Sequence, residues 1–188
     1  MKKASTPTTE NQPVGNYTLN LGISANAGAT TTAVKSWTPT FDELMKDFSQ
    51  ACVNPKKTNS HWFLRCPATK RNNKDAGDTA SILILDGDKR ITADGEEVNG
   101  APELSLVANA LEELDIEFFI YTSHSNAEGL PKYRVIIPVT YERDDLDSLL
   151  DYVFHLLHGK GVMLADVTEN HTWAQLWFKP SIATKESP

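Results

Sequence analysis

Between Ser81 and Pro180 the spacing of apolar side chains changes rhythm again and again, and the order of those changes constrains the fold more than any other feature of the chain. "SILILD" is an unbroken apolar run, the pattern of a strand covered on both faces. "APELSLVANALEELD" instead puts Leu104, Val107, Leu111 and Leu114 on one helical stripe, with Pro102 at its first turn. "IEFFIYTS" and "YRVIIPV" read as two further strands separated by the loop "HSNAEGLPK". "RDDLDSLLDYVFHLLHG" reads as a helix with acids in its first turn and Gly159 as its stop. "GVMLADV" and "AQLWFKP" are expected as two late strands.

The order β-α-β-β-α-β is that of the ferredoxin-like, RRM-like split βαβ arrangement, an α+β fold. Ahead of it lies an expected N-terminal α/β extension. In "TPTFDELMKDFSQAC", Thr40 and Glu43 form a capping-box pattern, and Phe41, Leu44, Met45 and Phe48 follow helical spacing. "HWFLRC" is a short strand candidate. Residues 1–36 are dominated by Thr, Ala, Asn, Gly and Ser and are expected to form a flexible, low-complexity tail, with residues 37–188 forming one domain.

The formal net charge is −7 and the sequence pI about 5.2. That balance argues against a module that coats nucleic acid by charge alone, and leaves room for an enzyme that touches it through a local basic patch. No apolar window reaches the ~18 residues of a membrane span, so no membrane partner is expected. The "MKK" start is followed by no apolar h-region, so a cytoplasmic location is expected. Cys52 and Cys66 are too few for a disulfide framework. Neither they with His61, nor His155, His158 and His171 together, show the paired spacing of a structural zinc site.

The strand "SILILD" ends in Asp86-Gly87-Asp88. On an extended segment two acids two residues apart point the same way, and buried like charges repel. A divalent cation with a preference for hard oxygen ligands relieves the repulsion; the alternative is a solvated Asp-Gly turn. Other polar residues also sit where apolar runs give out. His124 follows "FFIYTS" and Asp166 follows "VMLA", while Arg134 lies inside "KYRVIIPV", beside Lys132. An arginine buried in such a strand needs either a carboxylate partner or an anionic ligand. His124 reads either as a phosphate contact or as a surface histidine. The basic run "TKRNNK", with Lys56 and Lys57, reads as a solvated loop or a template contact.

The three segments "LILDGDKR", "YTSHSN" and "LADV" resemble, in order, the catalytic motifs of the archaeo-eukaryotic primase superfamily: an acid-x-acid pair, a small-x-His triplet and a later hydrophobic-Asp. The likeness is nearest to plasmid- and phage-encoded primases and primase-polymerases, and covers roughly residues 60–180. It implies a nucleotidyltransferase that makes primers on single-stranded DNA from nucleoside triphosphates. Asp86, Asp88 and Asp166 would then be catalytic and bind Mg²⁺ or Mn²⁺, as a pair of ions. His124, Arg134 and Lys132 would contact the nucleotide. No zinc module or attached helicase domain is apparent, so the resemblance implies a replicative helicase or initiator supplied by another chain. Two other readings stand beside it: a non-catalytic RRM-like nucleic-acid-binding module, which needs exposed aromatics on central strands, and a rolling-circle or mobilisation nuclease, which needs a paired-histidine metal motif.

Overall fold

An apolar run with no alternation must be covered on both sides, and the strand it forms is. A computed structural model of the chain describes residues 16–184. In it β5 (Thr79–Gly87) is buried from Ala80 to Gly87. Its partner is β9 (Tyr133–Glu142), which pairs on its other side with β8 (Phe119–Thr122). Both pairings are antiparallel, so β5 and β8 run parallel on either side of β9. The helix α2 (Leu104–Glu113) lies between β5 and β8 in the chain, and α3 (Leu146–Gly159) follows β9. Pro138 stands opposite Ile82 next to a register shift; a proline has no N–H to give to the ladder, so an irregularity there is expected.

One face of this sheet carries Leu83, Leu85, Val135 and Ile137, which pack with Val107 and Leu111 of α2 and with Leu150, Val153 and Leu157 of α3. The other face carries Ile82, Ile84, Ile136 and Tyr121, and an N-terminal unit covers it with Leu19, Leu21, Phe41, Leu44, Phe48 and Phe63. That unit contains a second sheet in the order β10-β4-β1-β2, formed by β1 (Leu21–Ser24), β2 (Val34–Trp37), β4 (Trp62–Leu64) and β10 (Trp177–Phe178). It also contains α1 (Phe41–Phe48), entered through a complete capping box. Thr40 N–H donates to Glu43 Oε2 at 2.8 Å, and Glu43 N–H to Thr40 Oγ1 at 3.2 Å. A short parallel pair joins β3 (Cys52–Val53) to β11 (Ser181–Ile182).

Two expectations meet a different outcome. Part of the stretch expected to be a tail is core: Leu19 and Leu21 are fully buried, and β1 is an inner strand of the second sheet. Two leucines suffice because β1 is paired on both sides and contributes backbone hydrogen bonds as well as side chains. Residues 1–15, the remainder of that expectation, lie outside the described residues. Second, "GVMLADV" adds no full strand to the β5-β9-β8 sheet. It is reduced to a bridge between Leu164 and Arg90, flanked by Ile91 N–H to Met163 O at 2.9 Å and Ala165 N–H to Lys89 O at 3.1 Å. The bridge falls on β6 (Lys89–Ile91), which lies beyond the end of β5 and forms a hairpin with β7 (Glu97–Asn99). The free edge of β5 is closed instead by side-chain and loop groups: Arg65 O accepts from Ser81 N–H at 3.3 Å, and Asn170 Oδ1 from Asp86 N–H at 2.8 Å. The architecture is thus a mixed α+β fold. Among the described residues no helix is long and apolar enough to cross a membrane.

Candidate functional site

The register of β5 on β9 decides what surrounds the two acids. Asp86 lies opposite Arg134 and Gly87 opposite Tyr133, and Asp88, one step beyond the strand, meets Lys132. Acids two apart on one strand therefore face cations two apart on the other. Gly87 is glycine because the Tyr133 ring lies over it: a Cβ there would sit 2.5 Å from Tyr133 Cε2 and 2.7 Å from Cδ2. The ring is held in place, since Tyr133 is buried and its hydroxyl donates to Pro102 O at 2.9 Å.

The two acid–cation pairs differ in kind. Asp86 Oδ1 is 3.2 Å from Arg134 Nε, with side chains only 8% and 7% exposed. These two atoms lack hydrogen-bond alignment, so the attraction is charge on charge. Arg134 also lies 5.3 Å from the Trp177 ring centroid and 5.8 Å from that of Tyr121. Its Nη1 donates long hydrogen bonds to Phe178 O at 3.4 Å and Tyr121 Oη at 3.5 Å. Of the two partners open to it, the structure gives this arginine a carboxylate. Burial pushes the Asp86 carboxyl above the usual carboxylate range despite the pull of Arg134. Burial likewise works against the Arg134 cation, but Tyr121 and Asp86 outweigh it and hold its pKa up.

Asp88 is held more loosely. Lys132 Nζ approaches its Oδ2 at 3.5 Å, with side chains 18% and 40% exposed, beyond the ~2.7–2.9 Å of a tight charge-assisted hydrogen bond. Lys57, from a single 3-10 turn over Lys57–Asn59 in the N-terminal unit, joins the same group. Its Nζ lies 5.7 Å from the centroid of the Phe178 ring. Burial lowers its pKa, and the neighbouring Arg134 and Lys132 cations add to that, while Asp86 and Asp88 oppose it.

Asp166 reaches the first motif through Asn170, on the short helix α4 (Thr168–His171). Asn170 is fully buried. Its amide oxygen accepts from Asp86 N–H, while its Nδ2 donates to Asp166 Oδ1 at 2.9 Å. Arg65 Nη2 fixes the Asn170 backbone by donating to its carbonyl at 2.9 Å. The other Asp166 oxygen lies 2.7 Å from His171 Nε2, whose Nδ1 lies 2.7 Å from Asp147 Oδ1. A ring nitrogen against a carboxylate on each side favours the imidazolium, and the hydrogen bonds to Asp147 and Asp166 raise the His171 pKa despite some desolvation. Asp88 and Asp166 open onto one cleft of about 360 Å³, shared with Lys89, Glu97 and Glu169.

Of the residues picked out by sequence, Asp88 and Asp166 thus line one cleft, with Lys132 against Asp88. Asp86 and Arg134 are paired beneath them in the interior. His124 stands apart from these contacts: its Nε2 lies 2.9 Å from Asn54 O, tying the loop after β8 to the N-terminal unit. A nitrogen that donates to a carbonyl leaves only Nδ1 for a phosphate, and Nδ1 donates only in the imidazolium. Asn170 and Lys57 complete the group. The signal for Asn170 was its place four residues after Asp166, near enough in the chain to reach back to it; nothing local marks Lys57 as reaching the strand end.

The donor types, carboxylate oxygens in an open cleft, are those Mg²⁺ and Mn²⁺ take, but Asp86 Oδ1 faces Arg134 Nε and both Asp166 oxygens are engaged by Asn170 and His171. Among the described residues no three acidic, His or Cys side chains are grouped to hold an ion by themselves. The cleft therefore offers separate carboxylates rather than an assembled set of ligands. Comparison with family models, with curated proteins and with solved structures finds no match for this chain.

Proposed function

We propose that the chain is the catalytic part of a DNA primase or primase-polymerase, with a ferredoxin-like core that has lost most of its fourth strand. The observation that carries the reading is Asn170. One buried side chain bonds both the Asp86 N–H and the Asp166 carboxylate, drawing together the first and last of three motifs that resemble a primase pattern in order. The reaction would be attack of a 3′-hydroxyl on the α-phosphate of a nucleoside triphosphate, with pyrophosphate leaving and the order of addition set by a single-stranded DNA template.

In that reaction Asp88 and Asp166, with Asp86 beneath, are the groups that would hold Mg²⁺ or Mn²⁺. Bound ions would supply charge neutralisation at the attacking and leaving oxygens. The chain's own residues do the positioning. Arg134 holds Asp86 and fixes the strand end, while Asn170 sets the distance between the two motifs. Lys132 and Lys57 offer ammonium groups to the triphosphate. His124 anchors the adjoining loop to the N-terminal unit. The cleft itself carries Asp88, Glu97, Asp166 and Glu169 against Lys89, so a bare triphosphate would be repelled from it. An RRM-like binding module is less well supported, because the sheet face that would stack bases is covered: Tyr121 is 6% exposed and Ile84 and Ile136 are fully buried.

The test is incubation of the full chain with single-stranded DNA, labelled ribo- or deoxynucleotides and Mg²⁺ or Mn²⁺, with and without a primer, alone and beside a helicase or initiator protein. Template-dependent products that vanish in Asp88→Asn and Asp166→Asn support the reading. Binding of single-stranded DNA with no synthesis under any of these conditions refutes it.

A further inference from the structure

The basic run "TKRNNK", residues 69–74, is held in shape by its own asparagines and by the second sheet. Along one side it extends the outer edge of β2: Val34 N–H donates to Thr69 O at 3.4 Å and Arg71 N–H to Thr32 O at 3.1 Å, around an antiparallel bridge between Ala33 and Lys70. Asn72 sets the bend, its Oδ1 accepting from the N–H groups of Lys74 and Asp75, both at 2.9 Å. Asn73 ties the tip, its Oδ1 accepting from Ala174 N–H at 3.2 Å. The amides are thus used for shape and the charges are left over. Lys70, Arg71 and Lys74 are exposed, and among the described residues none of them has a carboxylate partner. Arg71 makes one long bond, from Nη1 to Ala29 O at 3.4 Å. Lys35, two residues along β2 from Ala33, adds a fourth unpaired cation on the face that carries Lys70. The nearby acids are engaged: Asp75 Oδ2 accepts from Asn72 Nδ2 at 2.7 Å, and Asp78 pairs with Arg143 at 3.1 Å.

We infer that residues 69–74, with Lys35, form the docking surface for the sugar-phosphate backbone of a single-stranded nucleic acid and lead it toward the cleft beside α4. This rests on the primase-type reading, which requires a single-stranded template, and says where on the chain that template is held. Charge is the first argument. The chain carries a net −7 and the cleft sets Asp88, Glu97, Asp166 and Glu169 against Lys89, so a polyanion is repelled at the cleft and attracted at the basic run. Composition is the second. Lysine, arginine and threonine are groups that contact phosphate, and the run has no apolar side chain to enter a lipid surface. Position is the third. Asn73 holds Ala174, and Trp173 Nε1 donates to Gly77 O at 2.8 Å. Both residues closely follow α4, whose Thr168 and Glu169 line the cleft. Because the backbone of the run is already fixed, little ordering remains to oppose binding.

The experiment follows binding of a fluorescein-labelled oligothymidylate to the full chain by anisotropy, across a series of KCl concentrations and with no divalent cation. Wild type is compared with Lys70→Gln/Lys74→Gln and with Lys35→Gln/Lys70→Gln/Lys74→Gln, each first shown to melt as wild type does. The control, Lys46→Gln/Lys160→Gln, removes the same charge as the double variant from exposed lysines elsewhere. Each lysine lost from a phosphate contact takes about 0.7 from the slope of log K against log salt, so the double variant should lose roughly 1.4 and the triple variant roughly 2.1. The control pair should leave the slope unchanged. An unchanged slope in the triple variant, an equal fall in the control pair, or no binding by wild type at the lowest salt overturns the inference. So does tighter binding of duplex DNA, polyglutamate or phosphatidylserine vesicles than of the oligothymidylate. Loss of binding in the triple variant of a chain that makes no primers leaves the surface standing and removes the primase reading. Primer synthesis with undiminished strand affinity in the triple variant does the reverse.

Discussion

Replacing Gly87 by alanine tests the placement of the acid pair through a contest of signs. Gly87 has a backbone conformation open to other residues, and in such a position Gly→Ala usually stabilises by about 0.4–1 kcal/mol, because the unfolded chain loses freedom. Here the new Cβ would lie 2.5 and 2.7 Å from two carbons of the Tyr133 ring and 3.1 Å from a third. Carbon–carbon contact is optimal near 3.5–4.0 Å, so the overlap is on the order of 1 Å. Tyr133 has little room to retreat, being 1% exposed and hydrogen-bonded to Pro102 O. Overpacking of this type costs about 1–3 kcal/mol, which outweighs the gain in all but the mildest case. We expect a net loss of about 1–2 kcal/mol, seen as a fall in Tm of roughly 2–8 °C for a chain of this size. Urea melts of Gly87→Ala, Tyr133→Leu and the double variant give the coupling directly. With the ring gone, the alanine should cost nothing or stabilise. A Gly87→Ala protein as stable as wild type, or more so, would show that the ring does not constrain the turn.

Three further outcomes follow from other groups. Asp86→Ala strands the buried Arg134 cation and should cost about 3–5 kcal/mol, whereas Asp86→Leu/Arg134→Met should recover most of it; equal losses in the two proteins, measured by chemical denaturation, would contradict the ion pair. Burial pushes the Cys66 thiol up to about 11 while Cys52 is exposed. At pH 8 a thiol reagent should therefore label Cys52 quickly and Cys66 only on unfolding; two equally fast thiols in the native protein would refute this. The raised pKa of His171 implies stability that is fully present below its unfolded value of about 6.5 and is lost as pH rises through the folded value. Proton NMR of the chelator-treated protein should show that upward displacement shrinking in Asp147→Asn.

The parts of the fold legible in the sequence were those whose signal is local. The capping box of Thr40 and Glu43, the stripe of α2 and the two-sided apolar run of β5 each state their structure within a few residues. The N-terminal sheet was not legible. β1 offers only Leu21 and Ile23 in four residues, and its place depends on pairing with β2 and β4, the latter some forty residues further on. "GVMLADV" erred in the opposite direction, having the composition of a strand without the sheet edge to complete it. Asn170 and Arg65 had already taken that edge, and neither residue type signals strand pairing.

For the candidate site, the distinction between what was legible and what was not is physical. Spacing two apart on an extended chain shows that Asp86 and Asp88 share a face; it leaves open what stands across from them, because register is a long-range property. In this chain the register sets Arg134 and Lys132 directly opposite, so the repulsion that suggested an ion is relieved in the protein itself. A cation at Asp88, under the primase reading, would have to displace Lys132 rather than fill a repulsive gap. Lys132 is the more exposed of the two cations. Asp86 ties these groups together: its side chain pairs with Arg134, its N–H donates to Asn170 Oδ1, and Asn170 Nδ2 donates in turn to the Asp166 carboxylate.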